Sequence, residues 1–202
     1  MSFALQCHCG TLQGHVDCLE TANRGICYCR DCQAFARYLG RDGDVLDERG
    51  GTEVLQMLPK HVHFTAGLEE LACVRLTGKG LLRWYARCCR TPVGNTPPVW
   101  RISYVGLVRD CLPEDDRSLD ETAGPVRMRV HTKSAIGEPK PKSTGVATAV
   151  VRITGTLARA WLNGSFKQTP FFKAAGIPVA RPEVLGPETL QKLKYPERGP
   201  AG

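Results

Sequence analysis

The spacing of the cysteines constrains this chain more than any other feature. Of its ten cysteines, Cys7, Cys9, Cys18, Cys27, Cys29 and Cys32 crowd the start; Cys88 and Cys89 are adjacent, and Cys73 and Cys111 stand alone. The first residues, Met1 to Cys7, have neither a basic region nor an apolar run, so no secretory signal is read and the expected compartment is cytoplasmic. In a reducing compartment closely spaced cysteines bind metal or do redox work rather than form structural disulfides.

The strongest motif is Cys27-Tyr28-Cys29-Arg30-Asp31-Cys32, a C-x-C-x-x-C run. Zinc prefers thiolate sulfur in a tetrahedron, with bonds of about 2.3 Å. Three thiolates on one tight turn supply three corners without closing a long loop. The fourth corner comes from elsewhere or stays open to solvent or substrate, which is the usual architecture of a catalytic zinc. Cys7-His8-Cys9 is a weaker pair that needs a distant partner. Cys88-Cys89, at the end of a hairpin strand, is the candidate, and four thiolates from two segments would make a closed structural site. Successive strand side chains point oppositely, so this adjacent pair needs a turn over residues 87–90 to converge. One of the two could instead remain a free thiol or complete the first site.

The hydrophobic pattern predicts a mainly β chain with many short, turn-bounded strands. Residues 3–17 read as two strands around Gly10, with Leu12, Gly14 and Val16 on one face. Further strands are expected over 54–58, 62–65, 99–108 and 127–130. Residues 72–77 and 81–85 form a hairpin around Gly78-Lys79-Gly80. A short helix is expected over 31–39, where Cys32, Phe35, Ala36 and Leu39 share a face. Residues 137–143 are a Pro-rich basic linker. Beyond it, helical spacing runs over 143–162, with a second helix over 187–194. The expected organisation is a zinc-binding β domain over 1–136, with a linker and helical C-terminal extension over 137–202 packed on it.

Three motifs together resemble the glutathione-dependent formaldehyde-activating enzyme family, which includes centromere protein V relatives. They are Cys7-His8-Cys9-Gly10, Cys27-Tyr28-Cys29-Arg30-Asp31-Cys32, and Trp84-Tyr85-Ala86-Arg87-Cys88-Cys89-Arg90-Thr91. The resemblance covers about residues 1 to 136. It implies a β-tent of small antiparallel sheets carrying two zinc ions per chain. Carried over, Cys7 and Cys9 are structural ligands with Cys89, with Cys88 as the substitute fourth. Cys27, Cys29 and Cys32 hold the functional zinc, open beside a bound glutathione. This sequence departs from the family pattern in the third motif. Ala86 stands where the first cysteine belongs, displacing that ligand by two residues to Cys88, and Arg90 replaces a glycine. Farther on, Lys133 is kept while the neighbouring His and Trp are lost.

The activity this implies is a carbon–sulfur lyase reaction on the adduct of glutathione, or a similar small thiol, with formaldehyde. Arg30, Arg37 and Lys133 are candidates to meet glutathione's carboxylates. The competing expectation is a non-catalytic zinc module that binds protein or nucleic acid. The formal charge is +7, but the Lys and Arg residues are scattered, with no basic stripe interleaved with aromatics. Nucleic acid is therefore not the expected partner. No stretch approaches the roughly 20 apolar residues of a membrane-spanning helix. Among the histidines, each a possible fourth ligand or base, His61-Val62-His63 places two imidazoles on one strand face. Cys18, Cys73 and Cys111 read as core or surface thiols.

Overall fold

The computed structural model describes residues 2–113 and 118–196. Among these residues eleven strands form two sheets. The smaller sheet has the order β1-β2-β5, from Ser2–Gln6, Gln13–Asp17 and Val62–Ala66, all antiparallel. The larger has the order β10-β3-β4-β9-β8-β7-β6-β11. Its strands are β3 (Asn23–Cys27), β4 (Thr52–Met57), β6 (Leu71–Arg75), β7 (Leu82–Ala86), β8 (Pro92–Thr96), β9 (Val105–Val108), β10 (Met128–Val130) and β11 (Glu183–Val184). The chain is mainly β, as its turn-rich pattern indicates. Six central strands pair antiparallel, and the two outermost, β10 and β11, add in parallel after long excursions of the chain.

The main core lies where the two sheets meet. Leu5, Leu12, Val16 and Val62 from the small sheet side pack with Leu55, Leu82, Trp84, Val93 and Leu107 from the large one. Alternation explains this: Leu12 and Val16 are fully buried, while His15 and Asp17 fall on the opposite face. Strands β7, β8 and β9 are buried along their whole lengths. Strand β8 is not legible in the sequence, because Pro92, Gly94 and Asn95 are poor strand formers. It persists because both faces are covered, and Pro92 occupies the first position, where its missing N–H costs least. The run expected over 99–108 shortens to β9, since Val99 and Ile102 are exposed in the preceding loop.

Helices α1 (Arg30–Leu39), α2 (Asp42–Val45), α3 (Leu119–Ala123), α4 (Val146–Leu162) and α5 (Pro187–Lys194) complete the fold. The first begins at Cys29, whose side chain caps the helix by accepting from Cys32 N–H, and it ends at Gly40 with φ 64°. Its buried face, Ala34, Phe35 and Leu39, packs on Val74, Leu76 and Tyr85. Helix α5 lies against α1, tied by Lys194 to Asp31 at 2.6 Å and by Arg37 donating to the Leu193 carbonyl at 2.7 Å.

Helix α4 starts at Gly145, which has φ +66°; a Cβ there would sit 1.9 Å from the Arg127 carbonyl oxygen, so only glycine fits. That helix buries only Ala149 and Ala160. Beyond α4, Phe171 is fully buried against Trp84, with ring centroids 5.3 Å apart. The C-terminal segment therefore fills part of the main core. Residues 197–202 of the expected extension lie outside the described residues. No helix among the described residues is long and apolar enough to cross a membrane.

Candidate metal centres

Two knuckles build the first thiol group. Cys7 and Cys9 follow β1, where Gly10 N–H bonds back to the Cys7 carbonyl at 2.9 Å and Leu12 N–H points at Cys7 Sγ at 3.2 Å. Cys88 and Cys89 lie in the turn from β7 to β8. Arg90 N–H closes that turn on the Ala86 carbonyl at 2.8 Å, with Arg90 at φ 60°. The turn closed by that bond replaces the alternation of a strand, so the two neighbouring thiols can face one group, which a continuous strand would not allow. Left-handed geometry costs a non-glycine residue about 1 kcal/mol. Arg90 offsets that by donating to the Tyr38 carbonyl at 2.8 Å and lying over the Tyr38 ring.

The four sulfurs, Cys7, Cys9, Cys88 and Cys89, lie within 4.8 Å of one another. The separations are 3.5 Å for Cys7–Cys9, 3.8 Å for Cys7–Cys88, 3.3 Å for Cys9–Cys88 and 3.9 Å for Cys88–Cys89. A zinc tetrahedron with about 2.3 Å bonds has sulfur–sulfur edges of about 3.8 Å, so the group fits that ion. Two threonines support it: Thr11 Oγ1 is 3.2 Å from Cys9 Sγ and Thr91 Oγ1 3.1 Å from Cys89 Sγ. Thr91 also accepts from His8 N–H at 3.0 Å, joining the two knuckles. Hydrogen bonds from the Thr11 hydroxyl and backbone, with a further one from Cys88, hold Cys9 down to about 6, which favours the thiolate a metal requires. His8 does not join the group; its ring meets Asp110 at 3.1 Å and Arg41 at 2.7 Å.

Cys27, Cys29 and Cys32 form the second group, also within 4.8 Å, with Cys29 and Cys32 sulfurs 3.1 Å apart. Cys27 ends β3, Cys29 caps α1, and Cys32 sits in its first turn. Among the described residues no fourth Cys, His, Asp or Glu joins them. The group therefore presents three corners of a coordination sphere.

Arg83 and Tyr104 complete its surroundings. Arg83 is buried in β7, held by the Asn95 side chain at 3.1 Å and stacked over Phe35. The Cys32 thiol is held well below the ordinary range, first by hydrogen bonds from Cys27 and Cys29 and then by Arg83. Cys27 is pushed up by its bonds with Cys29 and Cys32 and by burial, so Cys32 is the natural thiolate of the trio. Tyr104 is pushed up by burial and by the charges of Cys27 and Cys32. Opposite Cys27 in the strand register, Thr52 is buried, and its hydroxyl has no hydrogen-bond partner among the described residues. Sequence reasoning missed Arg83 and Tyr104. A charged residue between Leu82 and Trp84 was the available signal, since a cation flanked by two core residues needs a partner.

The remaining candidates sort by position. Arg30 and Arg37 line one cavity of about 380 Å³ together with Lys140, from the densest basic stretch of the sequence; Lys133 does not line it. His61 ends a 3-10 turn and stays outside the groups, whereas His63 lies beside His15 and Asp17. Cys73 and Cys111 are buried core thiols, raised by desolvation, Cys73 to about 12. Cys18 stands apart at φ 57°.

A profile of a family of unknown function, DUF6151, matches residues 1–183. The chain belongs to that family. In this DUF6151 protein the matched span includes every cysteine and both thiol groups. A search of curated proteins found no match. What stands for the DUF6151 chain is thus a fold with two cysteine groups that could hold metal ions.

Proposed function

We propose that this DUF6151 protein holds two zinc ions and binds a small thiol such as glutathione at the second of them, for adduct chemistry with formaldehyde or a related aldehyde. Cys7, Cys9, Cys88 and Cys89 make the structural site, and Cys27, Cys29 and Cys32 the reactive one. The observation that carries the reading is the three-sulfur group with no fourth Cys, His, Asp or Glu in it among the described residues, set beside a buried guanidinium. The motif resemblance to the formaldehyde-activating enzymes supports it as well.

Zinc in that site would supply a Lewis acid with a free position for a fourth sulfur. The chain's own residues do the rest. Arg83 offsets the negative charge of three thiolates, so an incoming thiolate meets a site closer to neutral. Tyr104 remains protonated, and its Oη is a donor for an oxygen that gains charge. Arg30, Arg37 and Lys140 put three cations around one cavity, suited to the carboxylates of a tripeptide thiol. In the reaction the thiol sulfur bonds the aldehyde carbon and the carbonyl π pair moves to oxygen. The thiol's proton ends on that oxygen, giving S-hydroxymethylglutathione from formaldehyde with no oxidant or reductant.

The test is zinc analysis followed by NMR exchange spectroscopy on glutathione with formaldehyde. Two zinc ions per chain with accelerated exchange, lost in Cys29→Ser, is the expected result. Full zinc loading with no acceleration overturns it and leaves a non-catalytic metal module.

A further inference from the structure

The outer face of the small sheet carries a cluster that neither thiol group uses. His15 on β2 is the register partner of His63 on β5, and Asp17 lies two residues along the same face. The imidazole rings stack with centroids 4.7 Å apart and planes 19° from parallel. His63 Nε2 is 3.2 Å from Asp17 Oδ2. One ligand atom from each of the three lies within 4.8 Å of the others.

From these positions we infer that His15, Asp17 and His63 form a third metal site, for a borderline divalent transition ion of the zinc, nickel or copper kind. Two imidazole nitrogens and one carboxylate oxygen are the donor set such ions favour over calcium or magnesium. With bonds of about 2.0–2.1 Å, tetrahedral or octahedral coordination needs neighbouring ligand atoms about 2.9–3.4 Å apart. The Asp17–His63 pair already meets this. The remaining pairs lie within 4.8 Å and close on an ion by rotation of the two imidazoles about their side-chain torsions.

The backbone fixes the arrangement. A Cβ on Gly14 would come within 2.0 Å of the His63 carbonyl oxygen, so the two strands approach closely beside the histidines. On the far side, the register partner of His15 is the small Ala4. His63 and Asp17 side chains are 44% and 38% exposed, so an ion could enter from solvent and keep water on its remaining positions. The neighbouring His61, partly buried, is outside the group. The three ligands span two strands, so a bound ion would clamp β2 to β5. This inference does not rest on the proposed thiol chemistry.

The experiment uses the tag-free full chain with its cysteine groups loaded with zinc, dialysed against nickel(II). Nickel and zinc per chain are measured by mass spectrometry of the metals. The wild type is expected to retain one nickel beyond its zinc. His63→Ala and His15→Ala should lose that nickel with zinc unchanged, while His61→Ala keeps it. On the wild type itself, nickel should protect His15 and His63, but not His131, from acylation by diethyl pyrocarbonate. Nickel uptake that persists in His63→Ala, zinc displaced equally from wild type and His63→Ala, or unprotected His15 and His63 would each overturn the site.

Discussion

A metal bound by Cys7, Cys9, Cys88 and Cys89 would join two segments 81 residues apart. In the chain-entropy treatment of a cross-link, closing such a loop removes about 4.5 kcal/mol of unfolded-chain freedom at 25 °C. The Cys27, Cys29, Cys32 group closes only a six-residue run, worth about 2 kcal/mol on the same basis. Losing the first metal should therefore lower stability by more than twice as much as losing the second. The assay is urea unfolding of zinc-loaded wild type, Cys9→Ser and Cys29→Ser, each with and without a chelator. For a chain of this size the Cys9→Ser penalty corresponds to a fall of about 10–20 °C in Tm. Its m-value should rise, because the unfolded chain loses a tether and exposes more surface. Chelation should destabilise the wild type strongly, and Cys9→Ser much less. Coincident midpoints for wild type and Cys9→Ser in zinc, or a larger loss in Cys29→Ser, would refute the reasoning.

Three more outcomes follow from the packing. Phe171→Ala should cost about 3–5 kcal/mol, because the ring is fully buried between Trp84 and Phe64; Trp161→Ala, at a side chain 60% exposed, should cost under about 1 kcal/mol, and urea midpoints of the two variants check the contrast. Arg90→Gly should leave stability within about 1 kcal/mol of wild type, since relief of left-handed strain offsets the lost bond to Tyr38. His61 is held below its ordinary 6.5 by burial and by Lys60. Its protonation therefore opposes folding: stability is full above about 6.5, falls as pH drops through that value, and the fall should flatten in His61→Gln when urea midpoints are followed from pH 7 to 5.

The sequence carried the thiol groups further than it carried the rest of the site. C-x-C and C-x-x-C spacings are local chemistry, readable without a fold. Whether both Cys88 and Cys89 could turn toward Cys7 depended on the tight turn between Ala86 and Arg90, which no side-chain pattern announces. Arg83 reaches the Cys27, Cys29, Cys32 group because α1 packs across β6 and β7 with Phe35 under its guanidinium, so tertiary placement had to supply it, as it did Tyr104. Helices α1 and α5 were legible from capping and apolar spacing. Strand β8 was not, because burial on both faces outweighed the weak propensities of Pro92, Gly94 and Asn95. The pairing of His15 with His63 is a matter of register between strands distant in sequence, and composition says nothing of it.

The order of the large sheet has a consequence for aggregation. Its outermost strands, β10 and β11, have three and two residues and come from the later part of the chain. Beneath them lie β3 and β6, each five residues long, whose outward N–H and C=O groups would otherwise stand unpaired. Short terminal strands of this kind act as covers that blunt a template for intermolecular pairing. A chain cut before Glu183 bares the Val74–Arg75 end of the β6 edge, where Val74 is normally buried. Such fragments should self-associate through that edge even with both thiol groups intact, and light scattering of the truncated and full-length chains would show the difference.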